Sequence, residues 1–132
     1  MSLAIEYFDA EALQPNPWNP NIVGAENEQK LEKSVDRLGM FKPVLVRELE
    51  DGTLQILGGQ HRAMIARKRG ETCPVINLGK MTDARAKEIS LIDNGRYGMD
   101  DGLKLADLIG DLASEFSDLG SYLPYSDSEL SL

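Results

Sequence analysis

The sequence predicts an α+β (mixed α/β) chain, in which short strands and amphipathic helices alternate without an internal repeat. Three observations carry this. Thr53-Leu54-Gln55-Ile56-Leu57 alternates polar and apolar residues as a strand does, then crosses Gly58-Gly59 into a run of helix formers that stops at Gly70. A second apolar run, Val44–Glu48, precedes it across Glu50-Asp51-Gly52, which reads as a hairpin. Two longer stretches, Glu26–Leu38 and about Asp101 to Phe116, carry apolar residues at helical spacing.

The remaining elements follow in order. Leu3, Ile5 and Tyr7 have the period of a half-buried strand, and Asp9 is placed to cap a short turn reaching Leu13. Three prolines within Gln14–Asn21 forbid helix and ladder alike. In that loop Trp18 is expected to pack over a core edge, with stacking on a ligand base as the alternative. Leu31, Val35 and Leu38 share one helix face, closed by Gly39. Pro74–Leu78 is a short apolar strand opened by Cys73, and Thr82 caps a helix to about Asp93 that Asn94-Gly95 ends. The helix from Asp101 is expected to turn Leu105, Leu108, Ile109, Leu112 and Phe116 inward, and Ser126-x-x-Glu129 is a capping-box pattern.

At 132 residues the chain can bury one core. It has no apolar run near the ~18 residues of a membrane span and no signal-peptide pattern, so a cytoplasmic protein is expected. One cysteine and one histidine exclude an internal disulfide and a zinc site, and Cys73 reads as a small buried residue. A net charge of −8 argues against generic nucleic-acid binding. The charge is uneven, however. Residues 97–132 carry eight acids against Lys104 alone, whereas residues 58–70 hold Arg62, Arg67, Lys68 and Arg69 with no acid. A small positive site on an acidic protein suits a compact anion.

That site is the strand-to-helix corner. Two glycines let the backbone approach a ligand, and the free N–H groups of the new helix face the same space. His61 and Arg62 on the rim add hydrogen bonds and charge, as a phosphate or carboxylate site requires. A plain tight turn before a solvated basic helix satisfies the same spacing. Likewise Asp93-Asn94-Gly95-Arg96 offers oxygen ligands of the kind Mg²⁺ takes, or an ordinary Asn-Gly helix stop.

Taken together and in order, Leu13-x-Pro15-Asn16-Pro17, an amphipathic helix, Leu38-Gly39-x-x-x-Pro43-Val44-Leu45-Val46-Arg47, the hairpin, Gly59-Gln60-His61-Arg62, the strand Pro74–Leu78 and Leu91-Ile92-Asp93-Asn94 resemble the N-terminal domain of the ParB/sulfiredoxin superfamily. The resemblance implies a compact fold with a small mixed sheet and helices packed around it. It places one domain at 1–96, with 97–132 an acidic helical extension packed on it. It also implies a nucleoside triphosphate, CTP or ATP, held with Mg²⁺ at the glycine corner. ParB proteins read Gly-Glu-Arg-Arg there and handle the phosphates of CTP. Carried over residue by residue, Gly58, Gly59, Gln60, His61 and Arg62 become nucleotide contacts, joined by Lys42 and Arg96. Asp93 and Asn94 correspond to the magnesium-holding Glu-Asn, although Arg96 falls one place early. Gln60 stands where ParB has a glutamate tied to hydrolysis. Sulfiredoxins carry Gly-Gly-Cys-His-Arg, and Gln60 removes their nucleophile, so that activity is not expected. In a branch that phosphorylates free serine a base lies beside a similar corner; Glu28 and Asp93 are the candidates here.

The pattern resembles the stand-alone ParB-like proteins of phages and mobile elements, often labelled ParB-like nucleases, and its C-terminal part does not read as a DNA-reading module. The expected function is an NTP–Mg²⁺-binding domain in a DNA-related process such as partition, nuclease action or phage DNA metabolism. Nucleotide and DNA or a DNA-binding protein are the expected partners, no membrane is, and a homodimer stays open. One alternative is an enzyme of phosphoryl transfer or phosphodiester cleavage, with His61 and Gln60 orienting the attacking group and Asp93-Asn94 holding the metal. The other is a ligand-free adaptor that works through its acidic helix.

Overall fold

The computed structural model describes residues 3–18, 23–95, 98 and 100–130. Five strands form one mixed sheet. Strand β1 (Ile5–Asp9) leads through a 3-10 turn, Ala10–Ala12, into the two-residue β2 (Leu13–Gln14). Asp9 caps that turn as expected, its carboxylate accepting from Glu11 N. After α1 (Ala25–Leu38) come β3 (Val44–Glu48) and β4 (Leu54–Gly58), then α2 (Gln60–Arg69), β5 (Thr72–Lys80) and α3 (Asp83–Asn94). The sheet order is β1-β5-β3-β4-β2, with β1/β5 and β3/β4 antiparallel and β3/β5 and β2/β4 parallel. Gly52, at φ +86°, turns the expected hairpin, and Glu48 pairs with Leu54 beside it. Pro74 is tolerated because β5 meets β3 only from Val75 onward, so the residue without an N–H precedes that ladder.

The core lies on one face of the sheet. Val44, Val46, Leu54, Ile56, Cys73 and Val75 pack there with Ala10, Leu13 and, from α2, Ala63 and Ala66. Small residues on α2 let the helix lie close. Burial raises the Cys73 thiol pKa, and the Asp9 charge raises it further, so this cysteine is a core residue in neutral form. On the opposite face Arg47 is only 3% exposed. Its guanidinium is satisfied by Gln55 Oε1 (2.8 Å), Met81 O (3.2 Å) and Asp83 Oδ1 (2.8 Å), and lies over the Trp18 ring at 5.1 Å. Lys87 Nζ is over the same ring at 5.3 Å. Trp18 thus packs, as expected, and its partners are cations.

The chain forms two compact units by contact, residues 1–22 with 40–95, and residues 23–39 with 96–132. The second contains α1, α4 (Gly102–Glu115), a 3-10 turn at Leu119–Ser121 and α5 (Asp127–Leu130). Lys30 of α1 is buried, its Nζ donating to Tyr125 O at 2.6 Å, and Arg37 lies over the rings of Phe116 (4.9 Å) and Tyr122 (4.8 Å). The capping box is made in both directions: Ser126 N donates to Glu129 Oε1, and Glu129 N to Ser126 Oγ.

Three expectations about burial are corrected. Ile5 and Tyr7 share one face of β1, with Leu3 ahead of it, and all three are exposed, because the residue of β1 that packs on the core is Phe8 on the other face. Of the stripe expected to face inward from α4, Leu105 and Ile109 are half-buried while Leu108, Leu112 and Phe116 are exposed, so it is only partly covered. Similarly Leu38 is exposed, while Leu31 and Val35 are half-buried. Periodicity finds an apolar face without saying what covers it. In the core, Ile56→Ala should cost about 2–5 kcal/mol, read as a lower urea midpoint at unchanged slope.

Candidate functional site

The site forms where β4 meets α2. Gly59 sits in the left-handed region (φ +85°, ψ 23°), and a Cβ there would come into contact with Val44 Cα and Cγ2 at 3.4 Å. The chain turns from it directly into α2, whose first helical bond runs from Ala63 N to Gly59 O (3.0 Å). The amides of residues 60–62 precede that bond, and the N-cap glycine has no side chain to offer them. They lie at the positive end of the helix dipole, which suits an anion.

Gly58 has a different constraint. A Cβ there would collide with the Asp93 carboxylate, whose Cγ would lie only 2.8 Å away. The last turn of α3 is thereby packed on the corner backbone. Ser90, one turn earlier on the same helix face, holds it: its Oγ donates to Leu57 O at 2.7 Å and accepts from Asn16 Nδ2 at 2.8 Å. Asn16 is 5% exposed and also ties in the proline-rich loop. Its Oδ1 accepts from Trp18 N (2.7 Å), and its own N–H donates to Gln60 Oε1 (2.7 Å). One buried amide therefore joins loop, α2 and α3 around the corner. Arg62, half-buried, feels both burial, which lowers its pKa, and the Asp93 charge, which raises it. A guanidinium stays protonated under such opposing pulls.

A family model for the ParB N-terminal domain matches residues 2–95. The chain belongs to that family. Among relatives, the chromosome-partitioning protein ParB of Caulobacter vibrioides is 32% identical over 87 residues, covering 64% of this chain and 29% of that protein. A nucleoid occlusion protein of a Geobacillus species is 29% identical over 82 residues, 61% of this chain and again 29% of the relative. The chain thus spans under a third of the length of these curated relatives. Among solved structures, C-terminally truncated ParB from Caulobacter crescentus complexed with CTP-γ-S superposes with a TM-score of 0.76 at 26% identity, covering 96% of this chain and 74% of that one. Sulfiredoxin from Arabidopsis thaliana shares the fold (TM-score 0.53, 21% identity, 65% of this chain and 96% of that one).

Within this ParB-family domain the sequence-selected residues separate into groups. Gly58, Gly59, Gln60, His61 and Arg62 are consecutive at the corner, and Asp93 is brought to them from 31 positions further on than Arg62. The Gln60 carbonyl is already engaged by Asn16 N–H, so it braces the loop. His61 is half-buried in the first turn of α2. Lys42 is exposed, two residues ahead of the Val44 that lies beneath Gly59. Glu28 is exposed on α1, in the second unit. Arg96 and the Asn94 side chain lie outside the described residues.

Sequence reasoning missed the parts played by Asn16, Ser90 and Arg47. For Asn16 a signal exists: an amide side chain between two prolines, where the following residue has no N–H to donate. Ser90 has none, since a serine in a helix reads as neutral surface. The Gly58–Asp93 contact predicts non-additive mutations. Gly58→Ala alone should destabilise by about 1–3 kcal/mol. In a Gly58→Ala/Asp93→Ala cycle, urea unfolding should recover at least ~0.5 kcal/mol of that loss, and strict additivity would refute the contact.

Proposed function

We propose that the glycine corner binds the phosphates of a nucleoside triphosphate with Mg²⁺, and that the domain acts through this site in a DNA-related process of the partition type. The observation that carries the reading is convergence. The first-turn amides at 60–62, the Arg62 guanidinium and the Asp93 carboxylate meet at a turn that Gly59 makes in the left-handed region and where a side chain at Gly58 would collide with Asp93. His61 and Arg62 would contact phosphate oxygens, with Lys42 and Arg96 adding positive charge. CTP is favoured over ATP, because the 26%-identical ParB structure carries CTP-γ-S.

Magnesium fits the donor set. Among the described residues no three His, Cys, Asp or Glu side chains gather, so an all-protein metal cage is absent there. Mg²⁺ usually takes one or two carboxylates and completes its shell with phosphate oxygens and water, which Asp93 beside a phosphate site can support. Asn94 would be the second ligand. When bound, the ion would neutralise phosphate charge.

ParB from Caulobacter crescentus has also been solved complexed to the centromeric parS site, over 88% of this chain at a TM-score of 0.56. This supports DNA as the ultimate target. The acidic balance of the chain favours contact through a DNA-binding protein or a second copy over direct duplex binding. The enzyme reading, phosphoryl transfer or phosphodiester cleavage with His61 and Gln60 orienting the attacking group and Asp93-Asn94 holding the metal, is the weaker one, since the Gln60 amide already braces Asn16.

Isothermal titration with CTP, ATP and GTP, each with and without Mg²⁺, tests the assignment on the Arg62→Ala variant. A lost charge-assisted hydrogen bond should weaken triphosphate binding by about tenfold to a hundredfold. Binding equal to the parent would remove the corner from consideration. Asp93→Asn should lose the Mg²⁺ dependence while retaining the fold. Phosphate release above that of free nucleotide, abolished in His61→Ala, would establish the enzyme reading instead.

A further inference from the structure

A carboxylate lies at the corner, and it has the sign that an anion site should exclude. Asp93 stands in the last turn of α3, at the negative end of that helix dipole, and no basic residue accompanies it there. An acid in that place is locally unfavourable, and the positive corner is what compensates it. A Cβ on Gly58 would lie 2.8 Å from Asp93 Cγ and 3.5 Å from its Oδ1, so the carboxylate rests on the corner backbone beside the start of α2. The half-buried Arg62 guanidinium feels its charge. Asp93 is nevertheless exposed, so an ion in solution can reach it.

We propose that Asp93 is a charge filter on this site, the corner's resident counter-ion, which turns away metal-free phosphates and admits them only as metal chelates. The inference rests on the corner being the triphosphate site and adds which form of the ligand it takes. An incoming phosphate meets the Arg62 guanidinium and the α2 terminus, but also a carboxylate of its own sign. Beside a half-buried guanidinium that repulsion is screened less than between fully exposed charges. With a divalent cation present, Asp93 becomes an oxygen ligand instead of a repelling neighbour, and the phosphates carry less charge. Gly58 belongs to the same device, because a side chain there would push the carboxylate off the corner.

A filter and a plain metal ligand differ in one measurable respect. Losing a ligand weakens binding with Mg²⁺ and leaves metal-free binding as it was, whereas losing the filter strengthens metal-free binding. Inorganic tripolyphosphate and CTP can be titrated calorimetrically into the full chain, in EDTA and again with Mg²⁺. The parent should bind both with Mg²⁺ and at least ~10-fold more weakly in EDTA. Asp93→Asn and Asp93→Ser, which remove the charge, should each bind both ligands in EDTA at least ~10-fold more tightly than the parent does, a gain that shrinks as salt is raised. Asp93→Glu, which keeps the charge, should stay as weak as the parent in EDTA. Metal-free binding by the uncharged variants no tighter than the parent's would overturn the inference and leave the nucleotide reading standing. So would a parent that binds as tightly in EDTA as with Mg²⁺. If neither ligand binds the parent or any variant in either buffer, the nucleotide reading itself fails and takes the inference with it.

Discussion

A single serine hydroxyl decides where the site can exist. Ser90 Oγ, held by Asn16 and bonded to the Leu57 carbonyl, clamps α3 to the end of β4 one residue before the glycine pair. With that clamp closed, the carboxylate three residues along the helix comes to rest on Gly58, and no side chain can stand at that position. The bond is buried, where an unpaired hydroxyl or amide is costly, so the network is held as a unit. Everything proposed for the corner depends on it. Without α3 in place, Asp93 is an ordinary helix-end acid and the corner is a basic turn.

The sheet divides its two faces between stability and positioning. One face carries the aliphatic core under α2, and its small alanines let the helix settle close to the sheet. The other face carries polar groups, which are buried because they are fully paired. Arg47 spends its guanidinium on a neighbouring strand, the start of α3 and the Trp18 ring. The Arg47–Asp83 pair holds the first turn of α3 as the Ser90 bond holds its second. The helix that presents Asp93 is thus fixed at both ends to the same sheet, by charge at one and by a hydroxyl at the other.

Much of this was legible in the sequence, and the dividing line is the range of the interaction. The Asp9, Thr82 and Ser126 caps, the hairpin glycine and the αL glycine before α2 are local, so residue type and spacing specify them. The two-glycine corner was visible for the same reason. Burial was less legible, because a stripe such as Leu105–Phe116 or Leu3–Tyr7 looks the same whether something covers it or not. Least legible was the bracing. The Asn16–Ser90 bond spans 74 positions and the Asn16–Gln60 bond 44, and both use polar residues that read as loop and surface. Gln60 shows the consequence: residue type suggested chemistry, whereas its hydrogen bond gives it a structural partner.

The account stands most directly on where a triphosphate lands. An ¹⁵N-labelled sample titrated with CTP and Mg²⁺, followed by amide chemical shifts, reads that residue by residue. The account predicts the largest shifts at Gly58–Arg62 and around Asp93, with α4 silent. Shifts absent from the corner, or gathered on α1 and α4 instead, would contradict it.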